Sequence, residues 1–160
     1  GSRKFILCTN NENGIAEEVT YPRIKNVING YADVDGVPAN VRYFKTDFVD
    51  KDKVTDDTRR ELVQRATEMI CVKEDTFSKK YDNKKFKIYE NNTKVTGILY
   101  DLDAIEEFKD KLNQLAKPCS IYVFSLTNET FTSDFSDLTV KHKLTPIPES
   151  ILEVYRKLFG

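Results

Sequence analysis

Apolar residues follow three patterns along this chain, and each predicts a different kind of element. Near the start, Phe5-Ile6-Leu7-Cys8 is an unbroken apolar run that enters the polar cluster Thr9-Asn10-Asn11-Glu12 with no turn residue between. A run of that kind predicts a strand buried on both faces, as in a parallel sheet covered by helices. Ligands in open sheets of that type bind at the carboxyl ends of strands, where Thr9 to Glu12 lie. After a turn at Asn13-Gly14, Thr20-Tyr21-Pro22 predicts a helix start with Thr20 as N-cap and Pro22 in the first turn. Ile24, Val27, Ile28 and Tyr31 recur at helical spacing, predicting one buried face, and Gly30 is the expected stop. Asp33 to Pro38 is a turn-rich loop. Val41 to Phe48 is rich in β-formers and predicts a strand ending near Asp47, completing a strand–helix–strand unit.

The rest of the chain changes character after Val49 to Val54, a charged stretch without a period and the expected boundary between subdomains. Asp56-Asp57 predicts the acidic cap of a helix to about Val72, with Leu62, Ala66, Met69 and Ile70 on its apolar face. Thr76 to Lys85 reads as a polar connection. Phe86 to Glu90, Asn91-Asn92 and Val95 to Tyr100 predict a β-hairpin. Asp101-Leu102-Asp103 opens a helix with Ile105, Phe108, Leu112 and Leu115 on one stripe and Glu106, Glu107, Lys109, Asp110 and Lys111 opposite. Ser120 to Leu126 and Leu138 to Leu144 predict strands, and Glu149 to Phe159 a final helix packed through Ile151, Leu152, Tyr155 and Leu158. The expectation is therefore an α/β protein with residues 1–54 forming one portion and residues 55–160 a small α/β domain.

Composition narrows the function classes. The 160 residues are 39% hydrophobic and 32% charged, enough apolar material for a core and too much for disorder. A net charge of −1 gives no global basic field to argue for nucleic acid. No stretch reaches the apolar length that spans a membrane, and no signal peptide is evident. Cys8, Cys71 and Cys119 are scattered and odd in number, which predicts reduced, mostly buried thiols in a cytoplasmic protein. Gly1-Ser2 resembles a remnant of tag removal and fits an excised fragment.

Candidate chemistry is sparse. With one histidine and no close cysteine pair, a zinc site is not expected. A Cys–His catalytic pair would have to use His142, the only imidazole, with a distant cysteine, and a partly buried histidine on a strand face is the stronger reading. Glu90 and Lys94 would be the start of a metal-dependent nuclease site, but such sites need several converging carboxylates, so a turn with solvated charges is the stronger reading. The lysines at 79, 80, 84, 85 and 87 read as a solvated face ahead of a phosphate-binding patch. Isolated Gly14 and Gly36 make no phosphate loop. The residues alone assemble no complete active site.

Several segments, taken in order, resemble adenine-specific DNA methyltransferases, and most closely the modification (Mod) subunits of type III restriction–modification systems. They are Arg3-Lys4-Phe5-Ile6-Leu7-Cys8-Thr9-Asn10-Asn11-Glu12-Asn13, Glu18 to Tyr31, Val41 to Val49, Arg65 to Glu74 and Pro146 to Tyr155. The resemblance covers essentially the whole chain. In that family an Asp-Pro-Pro-Tyr catalytic motif, the target-recognition region and a Phe-Ala-Gly-Ser-Gly motif for S-adenosylmethionine lie upstream of the matched region, and neither motif occurs here. The resemblance therefore implies the C-terminal part of a methyltransferase: residues 1–54 as part of a doubly wound, Rossmann-like cofactor sheet starting at its second strand, and residues 55–160 as a C-terminal domain. It implies no catalytic residue and no metal ligand in this chain. The family's second strand ends in an acid that binds the cofactor ribose. Thr9 stands at that position, a departure, with Asn11 or Glu12 as alternative contacts. Asp47 matches the contact to the adenine ring. Implied partners are DNA through the intact protein, a restriction subunit and a second copy of the chain. The other reading is a non-catalytic interaction or dimerisation module.

Overall fold

The computed structural model describes residues 4–46, 56–124, 131–145, 147 and 149–159. The chain divides into two compact units, Gly1–Asp47 and Phe48–Gly160. It is an α/β protein with a five-stranded mixed sheet and a separate two-stranded one.

In the first unit the expected strand at Phe5 to Cys8 does not form. Residues 4–10 have no regular structure, and Phe5, Ile6 and Leu7 are 78%, 70% and 68% exposed. A strand needs a partner for its backbone N–H and C=O groups, and no described residue pairs with this segment. Residues 41–46 are likewise irregular, against the predicted strand, while Asp47 and Phe48 lie outside the described residues. Helix α1 (Tyr21–Asn29) forms as expected, but Thr20 does not cap it. Residues Ala16–Thr20 are already wound, as a π-helix. Pro22 has no N–H and crowds the carbonyl one turn back, so the wider turn ahead of it relieves the clash. None of the α1 residues is buried, and Val27 and Tyr31 face solvent, contrary to the predicted buried face. Gly30 stops the helix at φ 85°, a conformation that favours glycine. There the chain turns into a miniature hairpin, β1 (Gly30–Tyr31) and β2 (Val34–Asp35); only β2 falls inside the predicted loop, and Tyr31 pairs in a strand instead of continuing the helix face.

The second unit is a layered α/β structure. Helix α2 (Asp56–Glu74) leads into β3 (Ser78–Asp82), β4 (Phe86–Glu90) and β5 (Val95–Leu99), an antiparallel meander. A 3₁₀ turn (Leu102–Ala104) and α3 (Ile105–Leu115) carry the chain to β6 (Cys119–Val123), parallel to β5. Strand β7 (His142–Leu144) adds in parallel to β6, and α4 (Glu149–Phe159) follows. The sheet order is β3-β4-β5-β6-β7.

Period-two alternation sends side chains to two cores. Phe86, Ile88, Val95, Leu99, Cys119 and Ile121 meet Phe108 and Leu112 of α3 on one face. Tyr89, Ile98 and Tyr122 meet Ala66, Ile70 and Cys71 of α2 and Ile151 of α4 on the other. The central strand β5 is consequently buried at all five positions. The helix opens at Asp101-Leu102-Asp103 as the sequence predicts, and there Asp101 caps the segment through its side chain, which accepts from the Asp103 N–H. In α2, Leu62, Ala66 and Ile70 are buried as predicted, whereas Met69 is exposed and Cys71 takes the inner position.

Thr76 to Lys85 holds a strand, β3, because the open edge of β4 supplies backbone partners to a polar segment. Its lysines and a register shift between Lys79 and Tyr81 are typical of an edge. Of the strand predicted over Leu138 to Leu144, only His142 to Leu144 pairs; Leu138 instead enters the core with Phe135 from a turn region. Lys109 is buried rather than on the solvent stripe, since that region covers it: its Nζ donates to Glu106 Oε1 (2.9 Å) and the Asp134 carbonyl (3.2 Å) and pairs with Asp137 (2.8 Å). Ser125, Leu126, Pro146, Pro148 and the side chains of Tyr155 and Leu158 lie outside the described part.

Candidate functional site

The polar turn that follows the apolar run is tightly self-bonded. Asn11 adopts the left-handed conformation (φ 55°), which asparagine tolerates better than most residues. Its N–H donates to Thr9 Oγ1 (3.1 Å), its Oδ1 accepts from the Ala16 N–H (2.9 Å), and its carbonyl accepts from the Gly14 N–H (3.1 Å). The Glu12 N–H donates to Asn10 Oδ1 (3.3 Å). Thr9 and Asn11 thus shape the entry to the wound segment at Ala16. Glu12 remains exposed, with a long contact to Asn10 Nδ2 (3.5 Å).

One turn further on is a residue that pattern reading missed. Glu17 Oε1 accepts from Tyr43 Oη (2.8 Å) and pairs with Lys45 Nζ (2.6 Å). The Lys45 ammonium, and then the Tyr43 hydroxyl, lower its carboxyl to about 2. Glu17 Oε2 is enclosed without a hydrogen-bond partner. The structure thereby joins the segment of Thr9, Asn11 and Glu12 to the segment that precedes Asp47, which itself lies outside the described residues. Glu17 and Tyr43 are 26 residues apart, and no spacing rule links such a pair in sequence.

The second unit holds another polar centre. Glu74, at the end of α2, accepts from Tyr122 Oη (2.6 Å), Ser120 Oγ (3.1 Å) and Lys94 Nζ (3.1 Å). Burial pushes its carboxyl up, but the Tyr122, Lys94 and Ser120 donors together outweigh burial and hold it below the ordinary value. Glu90 is bound separately, to Lys80 (2.8 Å) and Lys117 (2.8 Å). Glu90 and Lys94 therefore serve different ion pairs rather than one nuclease-like site. Among the described residues no three His, Cys, Asp or Glu side chains converge as a metal site would need. Lys79, Lys80 and Lys87 pair with Asp82 or Glu90, in keeping with a solvated, neutralised face.

Cys71 and Cys119 are buried and Cys8 is exposed, all three as free thiols. Burial pushes the Cys119 thiol up to about 12, far from the range of a nucleophile. His142 is half-buried on β7, its Nδ1 donating to the Val140 carbonyl (3.0 Å). Beside it, where β6 and β7 begin, lies a shallow depression of about 200 Å³ rimmed by Lys94, Ser120, Lys141, His142 and Lys143. No described helix is long and apolar enough to cross a membrane. Comparisons of the chain with protein-family models, curated proteins and solved structures gave no match.

Proposed function

We propose that this chain is the C-terminal portion of an S-adenosylmethionine-dependent DNA adenine methyltransferase, similar to type III modification subunits and working on DNA in the cytoplasm. The ordered resemblance from Arg3 to Tyr155 supports this reading. The structural observation that carries it furthest is the meeting, at Glu17, of the two segments to which the resemblance assigns cofactor contacts. A ribose offers hydroxyl donors, and an ionised carboxylate with a free oxygen accepts them well. The exposed Glu12 carboxylate fits that chemistry. Thr9 and Asn11 keep the turn in shape beside it. In the intact parent, the segments 4–8 and 41–46 become strands of the doubly wound sheet, which buries Phe5, Ile6 and Leu7. S-adenosylmethionine, when bound there, supplies the methyl group; this chain contributes the rim of its site.

The gene frame ahead of Arg3 is expected to encode Asp-Pro-Pro-Tyr and Phe-Ala-Gly-Ser-Gly, and a frame with neither overturns the assignment. Because those motifs lie outside this sequence, calorimetric titration of the isolated chain with S-adenosylmethionine should give no tight binding. Sub-micromolar binding by the chain alone would contradict the view that it holds only the rim.

A second reading concerns residues 55 onward, as an interaction module for a restriction subunit or a second copy. Its support is the compact unit Phe48–Gly160, whose sheet carries a core on each face while its central Glu74 cluster is consumed by internal bonds. Removing this region from the full-length protein should weaken assembly in size-exclusion and light-scattering measurements while sparing cofactor binding. Normal assembly of the truncated protein sinks the module reading.

A further inference from the structure

We infer that Glu17 is a positioning residue of the cofactor rim: a clasp that sets the distance between the polar turn at Thr9 to Glu12 and the segment leading to Asp47, without meeting the ligand itself. The role rests on the reading of the rim given above, and it falls on a residue to which the resemblance assigns none. The carboxylate of Glu17 is engaged inside the protein. Its Oε1 accepts from Tyr43 Oη (2.8 Å) and pairs with Lys45 Nζ (2.6 Å), and its Oε2 is enclosed, so neither oxygen is presented to a ribose. Glu12 is the contrast: it is exposed, and its contact to Asn10 Nδ2 is long (3.5 Å). Glu12 is therefore open to a ligand, while Glu17 holds its surroundings.

A lone ion pair on a surface contributes little, because water and salt screen it. The surroundings of Glu17 go further than such a pair. Both donors converge on one ionised oxygen, and hydrogen bonds to a charged group are stronger than neutral ones. The Tyr43 ring is also held on other sides, by Tyr21 of α1 (centroids 6.2 Å apart) and by the Lys45 ammonium over its face (6.0 Å). Residues 41–46 have no regular structure, so no sheet ladder fixes them and side chains carry that task. On the opposite side, the N–H of Ala16, the residue before Glu17, donates to Asn11 Oδ1 (2.9 Å). An unbroken path of contacts therefore runs from Asn11 through Ala16 and Glu17 to Lys45, two residues before Asp47 in sequence.

Nuclear magnetic resonance on the 160-residue chain and kinetics on the intact parent test the role. In the chain, Overhauser contacts should link the Tyr43 ring to the Glu17 methylenes and to the Tyr21 ring. The Glu17 carboxyl carbon should keep the shift of an ionised carboxylate well below the ordinary value of 4.5, and should lose that resistance to acid in Lys45→Met. In the parent, Glu17→Gln should raise KM for S-adenosylmethionine roughly 10-fold, the scale of losing a hydrogen bond to a charged group, with kcat little changed. Glu17→Lys and Lys45→Glu should each raise KM as well. The double variant, which restores the pair with its charges exchanged, should recover most of the loss, a rescue that two independent structural residues would not show. Glu18→Gln, the same charge change on the adjacent exposed carboxylate, should leave KM as it is. The role is overturned if the contacts are absent from the chain in solution, or if the exchanged pair rescues nothing. It is also overturned if Glu18→Gln raises KM as much as Glu17→Gln does. An active parent whose KM is unmoved by Glu17→Gln overturns the positioning role alone; a parent that uses no S-adenosylmethionine overturns the reading of the rim and the role together.

Discussion

Phe108→Ala is expected to destabilise the second unit by about 3–5 kcal/mol, the range for removing a large aromatic side chain from a packed core. Phe108 has no exposed surface. Its ring lies edge-on to Phe86, with centroids 5.4 Å apart and an interplanar angle of 62°, and to Phe135 at 6.3 Å and 83°. Such pairs add about 0.5–1.5 kcal/mol each beyond burial. The ring also explains Gly97. A Cβ at that position would come within 2.5 Å of Phe108 Cζ, so the glycine is what lets α3 approach the centre of the sheet. Gly97→Ala should cost about 1–3 kcal/mol through overpacking, because flanking rings leave Phe108 little room to yield. Truncation to Phe108→Leu makes room, so the double variant should be more stable than the sum of the two costs implies. Urea denaturation of the four proteins measures this coupling; strictly additive costs would show that the two positions do not compete for space. Loss of 3–5 kcal/mol would leave a partly unfolded population at 37 °C if the domain lies at the lower end, about 5 kcal/mol, of the usual 5–15 kcal/mol range.

Tyr122→Phe should destabilise the same unit by about 1.5–3 kcal/mol at neutral pH, the usual range for a hydrogen bond to a charged group. The substitution keeps the buried ring and removes only the Oη that donates to Glu74 Oε1 (2.6 Å). The pH dependence follows from the direction of the Glu74 shift. Its folded value lies below the ordinary 4.5. The stabilisation is therefore complete above the ordinary carboxylate range and is lost as pH falls through the folded value. Without Tyr122 Oη, the upward push of burial meets less opposition, so the carboxyl rises and acid unfolding moves to higher pH. As pH falls through the folded value and Glu74 protonates in both proteins, the difference between them should shrink. Thermal melts across that range provide the check. A destabilisation that stays constant from neutral to acid pH would mean that the hydroxyl does not act through the Glu74 charge.

Some of this architecture was legible from local pattern. The β4–β5 hairpin shows because strand alternation flanks Asn91, whose Oδ1 accepts from the Thr93 and Lys94 N–H groups (both 2.9 Å) and fixes the turn. The α3 helix shows because its apolar stripe and Asp101 cap are both local signals. Strand β3 was not legible: Ser-Lys-Lys-Tyr-Asp has no buried face to advertise, and only the free edge of β4 makes it a strand. The run Phe5 to Cys8 failed the opposite way, with the composition of a buried strand and no strand partner among the described residues. The polar turn after it was picked out as a ligand-site candidate, but its link to Tyr43 and Lys45 through Glu17 required three-dimensional structure.

The sequence by itself determined the α/β class, the faces of the central strands and the helices that cover them, because side-chain periodicity is set by backbone geometry over a few residues. Tertiary structure alone decided which strands exist at the sheet edges, how Lys109 is buried, and where charge is cancelled or left over. Those outcomes depend on groups far apart in the chain: Glu74 with Tyr122, 48 residues on; Lys109 with Asp137; Glu17 with Tyr43. A hydrogen bond or ion pair of that kind leaves no periodic trace in sequence. The fold must bring its two members together before either has a role.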